Sequence, residues 1–113
     1  MDLATLQEAI KEFSRERDWE QFHSVKNLIL ALTGEVGELA ETVQWVERVD
    51  KEYFFSNPER YEEFENELAD VFIYLLRIAD VSGIDILKAG EKKLEKNAFR
   101  YTVQKSLGNV EKF

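Results

Sequence analysis

The sequence has 113 residues, a formal net charge of −8 and no cysteine. Its length indicates one domain, and a hydrophobic fraction of 44% excludes a disordered chain although 34% of the residues are charged. The acidic balance disfavours nucleic acid or an anionic membrane as a partner. The lack of cysteine excludes disulfides and thiolate chemistry, and the single histidine excludes a histidine-rich metal site within one chain.

The cellular location is also constrained by what the sequence lacks. No apolar run approaches the roughly 20 residues of a membrane span. The first five residues carry neither the basic region nor the apolar stretch of a secretory leader. We therefore expect a cytoplasmic protein with no membrane partner and no nucleic-acid partner.

Apolar residues at helical spacing predict four helices, over approximately residues 2–17, 25–48, 58–81 and 86–101. An ordered loop is predicted before the second helix and a longer connection over 49–57. Ser24, Asn57 and Asp85 are predicted N-caps, and Ser82-Gly83 is predicted to end the third helix. The pattern predicts an all-α four-helix bundle in one domain, 1–113, whose tail (102–113) is either a docked arm or disordered.

Two helices carry paired acids: Glu35 and Glu38 on the second, Glu67 and Asp70 on the third. Residues three apart lie on one helix face, and each pair falls at the edge of its apolar stripe. If the helices pack antiparallel, four carboxylates converge, which is unfavourable without a cation. Oxygen ligands suit Mg²⁺, Mn²⁺ or Ca²⁺. The alternative is two solvated helix faces. Glu41 lies about 60° beyond Glu38 and is left outside the set.

Aromatic residues accompany the acids. Trp45 and Tyr74 fall at the helical angle of the acidic pairs, and Trp19 and His23 lie in the loop before the second helix. The three aromatic side chains are either core residues or a stacking pocket for a planar ring. His23 is either a structural histidine of the loop or a catalyst.

A basic and polar stripe follows on the fourth helix, formed by Lys93, Asn97 and Arg100 with Lys96 beside them. In so acidic a chain this stripe either compensates the negative charge of the acids or binds phosphates.

Four segments together resemble a known family. They are RDWEQFH (17–23), LTGEVGELAE (32–41), ELADVFIYL (67–75) and KLEKNAFRY (93–101). They are similar to the MazG-like all-α nucleoside triphosphate pyrophosphohydrolases, above all the dCTP pyrophosphatase branch. The resemblance implies a helical bundle that assembles as a homodimer or homotetramer. It also implies cleavage of a (d)NTP to the monophosphate and pyrophosphate with Mg²⁺, for which Mn²⁺ is a substitute.

The resemblance also assigns roles by position. The implied metal ligands are Glu35, Glu38, Glu67 and Asp70, with Glu38 and Glu35 as the catalytic carboxylates. The chemistry of a metal-bound water suggests Glu38 as its general base. The implied nucleoside pocket is formed by Trp19, His23, Asn27, Trp45 and Tyr74. The implied phosphate-contacting residues are Lys93, Asn97, Arg100 and Tyr101.

Several functions stay open at this point. The substrate is dCTP or a modified dCTP, or else dUTP, dUDP or phosphoribosyl-ATP in a related pyrophosphohydrolase. A second class is a helical interaction module that holds Mg²⁺ or Ca²⁺ only for structure. A third is an acidic bundle that binds no metal.

Overall fold

The structure, a computed structural model, describes residues 1–111. Its elements are α1 (Leu3–Glu16), a 3₁₀ turn (Glu20–Phe22), α2 (Val25–Glu41), α3 (Pro58–Ser82), α4 (Ile86–Arg100) and α5 (Val103–Ser106). Over residues 1–111 there is no strand, so the all-α prediction is confirmed. Two compact units are present, one over Met1–Gly83 and one that begins at Ile84. The single domain over 1–113 stays a prediction.

The predicted helix boundaries at the caps are confirmed. Ser24, Asn57 and Asp85 each accept a hydrogen bond from a backbone N–H in the first turn of the following helix. Pro58 occupies the first turn of α3, where its missing N–H costs nothing. Gly83 ends α3 with a φ of 68°, in the left-handed region that favours glycine.

The second helix is shorter than predicted, because α2 ends at Glu41 and not near residue 48. The Thr42 hydroxyl donates to the Leu39 carbonyl at 2.7 Å. The backbone N–H groups of Thr42 and Val43 bond to carbonyls three residues earlier, which tightens the last turn. The connection to α3 therefore covers 42–57 instead of 49–57.

Two aromatic residues of this connection, Phe54 and Phe55, pack against α3. Phe54 is 1% exposed and meets Phe64 of α3 edge to face, with ring centroids 6.0 Å apart. Phe55 packs on Phe64 in the same way at 5.1 Å. These rings fix the connection onto α3 through buried area and edge-to-face contact.

In the first unit α2 packs mainly against α3, and α1 packs against α3. Leu28 of α2 and Leu76 and Ala79 of α3 are buried. Helix pairing by buried apolar residues sets which faces of α2 and α3 meet, and so which polar side chains lie beside the seam.

The second unit contains α4 and the short α5, and the Thr102 hydroxyl caps α5 by accepting a hydrogen bond from the Lys105 N–H. The sequence reading missed α5, and residues 112–113 of the tail lie outside the described residues. Among residues 1–111 no helix has the length and apolar content needed to cross a membrane. The cytoplasmic location stays a prediction.

Candidate active site

The packing of α2 on α3 brings three acids together. Glu35, Glu38 and Glu67 each offer a carboxylate oxygen within 4.8 Å of the other two. We call these three residues the carboxylate cluster. Asp70, the fourth predicted ligand, is not in the cluster but acts electrostatically on Glu35 and Glu67.

The carboxylate cluster is electrostatically unfavourable as it stands. Glu35 Oε2 and Glu67 Oε2 are buried and have no hydrogen-bond partner among the described residues. Burial, followed by the neighbouring Glu38 carboxylate, raises the pKa of Glu35 from 4.5 to about 7. Burial and the same Glu38 carboxylate also raise the pKa of Glu67. Both shifts mean that a second negative charge is poorly tolerated here.

These features fit a hard divalent cation. The donors are all carboxylate oxygens, the ligand type that Mg²⁺ and Mn²⁺ prefer. A cation would be a partner for the two buried oxygens that have none in the described part of the chain. Its positive charge would also offset the repulsion that contributes to the raised pKa values. Solvated helix faces would not have buried, unpartnered carboxylate oxygens.

A cleft of about 250 Å³ adjoins the acids. Trp19, His23 and Tyr74 line it together with Glu35 and Asp70. Trp19 is 44% exposed, so part of its indole ring is accessible. Burial and then the Glu35 charge raise the pKa of the Tyr74 hydroxyl, which therefore stays protonated. Three of the five predicted nucleoside-pocket residues thus share one cleft with two of the predicted ligands.

The sequence reading missed Arg77, which also lines this cleft. It is 6% exposed, and its Nε donates to Nδ1 of His23 at 3.0 Å. One terminal nitrogen donates to Asp80 at 3.0 Å, and the other lies 3.9 Å from the Glu20 carboxylate. A signal was present in the sequence, since Arg77 follows Tyr74 by three residues and continues the edge of α3 that carries the acids.

Two predicted pocket residues lie elsewhere. The Asn27 amide donates to the Phe22 carbonyl at 3.0 Å, so it holds the 3₁₀ turn and not the cleft. Trp45 lies in the connection, is 87% exposed and lines a separate recess with Arg48, Tyr53 and Arg60. The early end of α2 is the reason, because Trp45 does not continue the helical line through Glu38.

Comparison with known proteins identifies the family of this chain. Residues 23–103 match the model of the MazG nucleotide pyrophosphohydrolase domain. The chain belongs to this family. The MazG match includes every predicted site residue except Trp19.

Individual proteins are also similar to this chain in sequence and in structure. The chain is 43% identical over 102 residues to dCTP pyrophosphatase 1 of Rattus norvegicus and 40% identical to that of Homo sapiens. These matches cover 90% of this chain and 60% of each relative, so the chain spans about 60% of their length. A crystal structure of a pyrophosphatase from Archaeoglobus fulgidus aligns with a TM-score of 0.79 at 39% identity, over 88% of this chain and 92% of that chain. The predicted MazG-like all-α fold is confirmed.

The predicted phosphate-contacting residues lie in the second unit of this MazG chain. Lys93, Asn97, Arg100 and Tyr101 line one recess of about 560 Å³ together with residues of the tail. The Arg100 guanidinium carbon is 5.3 Å from the centroid of the Tyr101 ring. Their shared recess presents two cationic groups and an amide on one surface, and their role toward phosphate stays a prediction.

Proposed function

We propose that this protein is a Mg²⁺-dependent nucleoside triphosphate pyrophosphohydrolase that converts dCTP or a modified dCTP to the monophosphate and pyrophosphate. The carboxylate cluster carries this proposal, since two of its oxygens are buried without a hydrogen-bond partner in residues 1–111 and it lies beside an aromatic cleft. Membership of the MazG family supports the reaction type, and the relatives named dCTP pyrophosphatase 1 support the base.

The residues that would hold Mg²⁺ are Glu35, Glu38 and Glu67. The negative charge of Asp70 acts on Glu35 and would add to the attraction for the cation. Mn²⁺ would substitute because it accepts the same ligands. Bound Mg²⁺ supplies charge neutralisation of the triphosphate and a lower pKa for water at the site. Phosphoryl-type transfer depends mainly on such neutralisation and on positioning.

The protein side chains would divide the remaining work. Trp19 and Tyr74 would flank the base in the cleft. Glu38 is the exposed member of the carboxylate cluster and would accept the proton of the attacking water. Water would attack the α- or the β-phosphorus and pass its proton to Glu38. The bond from that phosphorus to the oxygen that bridges the α- and β-phosphates would break, which gives the monophosphate and pyrophosphate in either case. Lys93 and Arg100 would bind the phosphates.

The decisive experiment measures pyrophosphate release from canonical and modified dNTPs, with Mg²⁺ and with EDTA. We expect release from dCTP or a modified dCTP with Mg²⁺, and loss of turnover in Glu38→Gln while the helical circular dichroism persists. Glu41→Gln is the matched control, because Glu41 is exposed and outside the carboxylate cluster. Orthophosphate as product, or full activity of Glu38→Gln, would contradict the mechanism.

The nucleotide panel also separates the other functions. Preference for dUTP, dUDP or phosphoribosyl-ATP would replace the proposed substrate but keep the reaction type. Thermal stabilisation by Mg²⁺ without any nucleotide effect would instead favour a helical module that binds metal for structure alone.

We also propose that the protein is a homodimer or homotetramer. Apolar side chains on α2 and α3 remain between 44% and 49% exposed, namely Ile29, Val36, Leu68 and Phe72. Exposed apolar surface of this kind is typical of an interface between subunits. Light scattering at micromolar concentration should give a multiple of the 13.3 kDa chain, and Phe72→Glu should lower it. A monomer at every concentration would exclude the assembly.

A further inference from the structure

The contact between Arg77 and His23 joins parts of the chain that are far apart in sequence. Arg77 is buried on α3, and His23 follows the 3₁₀ turn 54 residues earlier. The guanidinium is held on the other side by Asp80 at 3.0 Å, and Glu20 lies 3.9 Å away. The guanidinium is therefore fixed in place, and its Nε–H points at one ring nitrogen of His23.

This contact determines where the histidine proton lies. A guanidinium is always charged and can only donate hydrogen bonds. The nitrogen that accepts from it, Nδ1, must then carry a lone pair and no proton. A neutral imidazole has one N–H, so the proton lies on Nε2. An imidazolium would direct a second N–H at the Arg77 donor, which is unfavourable.

The charges around the ring agree with a neutral histidine. Burial, and then the Arg77 charge, lower the pKa of His23, and only the Glu20 carboxylate acts in the opposite direction. Asp80 is already paired with Arg77. Nε2 has no hydrogen-bond partner within residues 1–111, and the ring lines the cleft with Trp19 and Tyr74.

We propose that Arg77 is a positioning residue that holds His23 as the neutral Nε2–H tautomer, so that the cleft offers a hydrogen-bond donor to an acceptor atom of the nucleobase. A nucleobase edge presents carbonyl oxygens and unprotonated ring nitrogens as acceptors and amino groups as donors. A fixed donor on the protein favours a base that presents an acceptor at this point and disfavours a base that presents an amino group there. The proposal rests on the proposed function only where it names a nucleobase as the ligand; the tautomer of His23 does not depend on it.

The tautomer can be measured in the free protein, without nucleotide. Because His23 is the only histidine, every imidazole ¹⁵N signal belongs to it. Near neutral pH we expect one protonated nitrogen, Nε2, and one unprotonated nitrogen, Nδ1, with no averaging between them. In Arg77→Met the donor is absent, so the two ¹⁵N shifts should move toward each other and His23 should titrate at higher pH.

Two further variants separate positioning from general stability. Asp80→Asn removes the half-buried negative charge beside Arg77 but changes neither Arg77 nor His23, so the wild-type ¹⁵N pattern should persist. Arg77→Lys restores a cationic donor and should return part of the wild-type pattern. Circular dichroism and thermal melting show which variants are folded.

The nucleotide measurement then tests recognition. A net hydrogen bond contributes about 0.5–1.5 kcal/mol, so Arg77→Met should raise KM for the hydrolysed dNTP about two- to tenfold. The value of kcat should change less than KM, because the bond positions the base and not the reacting phosphate. Asp80→Asn should keep the wild-type KM.

Opposite results overturn the proposal clearly. A wild-type spectrum with a protonated Nδ1, or with an imidazolium at neutral pH, refutes the tautomer, and this holds even if Arg77→Met does not fold. An unchanged KM in folded Arg77→Met refutes the role in recognition. Failure to hydrolyse any dNTP would refute the proposed function, while the ¹⁵N spectrum would still decide the Arg77–His23 contact.

Discussion

Replacing Glu35 by Gln removes one negative charge from the carboxylate cluster and keeps the size of the side chain. In the folded protein burial and the neighbouring acids raise the pKa of Glu35 from 4.5 to about 7. A group with a raised folded-state pKa binds its proton more tightly in the folded state than in the unfolded state. The stabilisation of the folded state by this proton on Glu35 is therefore fully present below pH 4.5 and is lost as the pH rises to about 7. The free energy of unfolding of metal-free protein should fall over this window.

The size of the effect follows from the two pKa values. The difference between 4.5 and about 7 corresponds to about 3 kcal/mol if no charge were screened. Glu35 is only half-buried and its neighbour Glu38 is exposed, so water and salt reduce this to about 1 kcal/mol. In a domain of this size that amount raises the melting temperature by about 4 °C. Glu35→Gln should show this gain at pH 8 in EDTA and almost none at pH 4.5.

The assay is thermal or urea unfolding of wild type and Glu35→Gln between pH 4.5 and 8, with EDTA and with Mg²⁺. Mg²⁺ should stabilise the wild type more than the variant, because a ligand that binds only the folded state raises its stability. Glu41→Gln controls for the loss of a surface charge. A Glu35→Gln protein that is less stable than wild type in EDTA at pH 8 would refute the reasoning, since Glu35 would then gain from its charge.

Three further predictions concern single positions. Trp19→Ala should weaken nucleotide binding by about 1–3 kcal/mol, measured by titration calorimetry, because one stacking face is removed; an unchanged affinity would place the base elsewhere. Phe54→Ala should lower the free energy of unfolding by about 3–5 kcal/mol in urea, since the ring is buried at 1% exposure; a loss below about 1 kcal/mol would mean that the connection is not anchored. Gly83→Ala should cost about 1 kcal/mol by the same measurement, because the backbone has a φ of 68° while no atom lies near the added methyl group; a stabilised variant would contradict the left-handed end of α3.

Local signals predicted most of the helices. Caps at Ser24, Asn57 and Asp85 and the stop at Gly83 act through contacts within one turn, so the sequence alone is sufficient to place them. The end of α2 was missed because apolar spacing continues through Val43. The Thr42 hydroxyl bond and the tightened last turn compete with that spacing and end the helix.

The site was predictable where it follows helix geometry. The convergence of Glu35, Glu38 and Glu67 could be predicted from spacing because two amphipathic helices pair by their apolar edges. Contacts between distant segments were not predictable in this way. The Arg77–His23 bond and the separation of Trp45 from the cleft depend on how the loops run, and no periodic pattern encodes that.

The seam between α2 and α3 has a consequence for the kinetics of folding. Because α2 and α3 follow one another along the chain and are joined by the connection 42–57, we expect these two helices to pair early in folding. The carboxylate cluster assembles in the same step, and its repulsion therefore opposes the folding transition state as well as the folded state. Mg²⁺ should then increase the rate of folding, and metal-free protein at high pH should fold more slowly than Glu35→Gln.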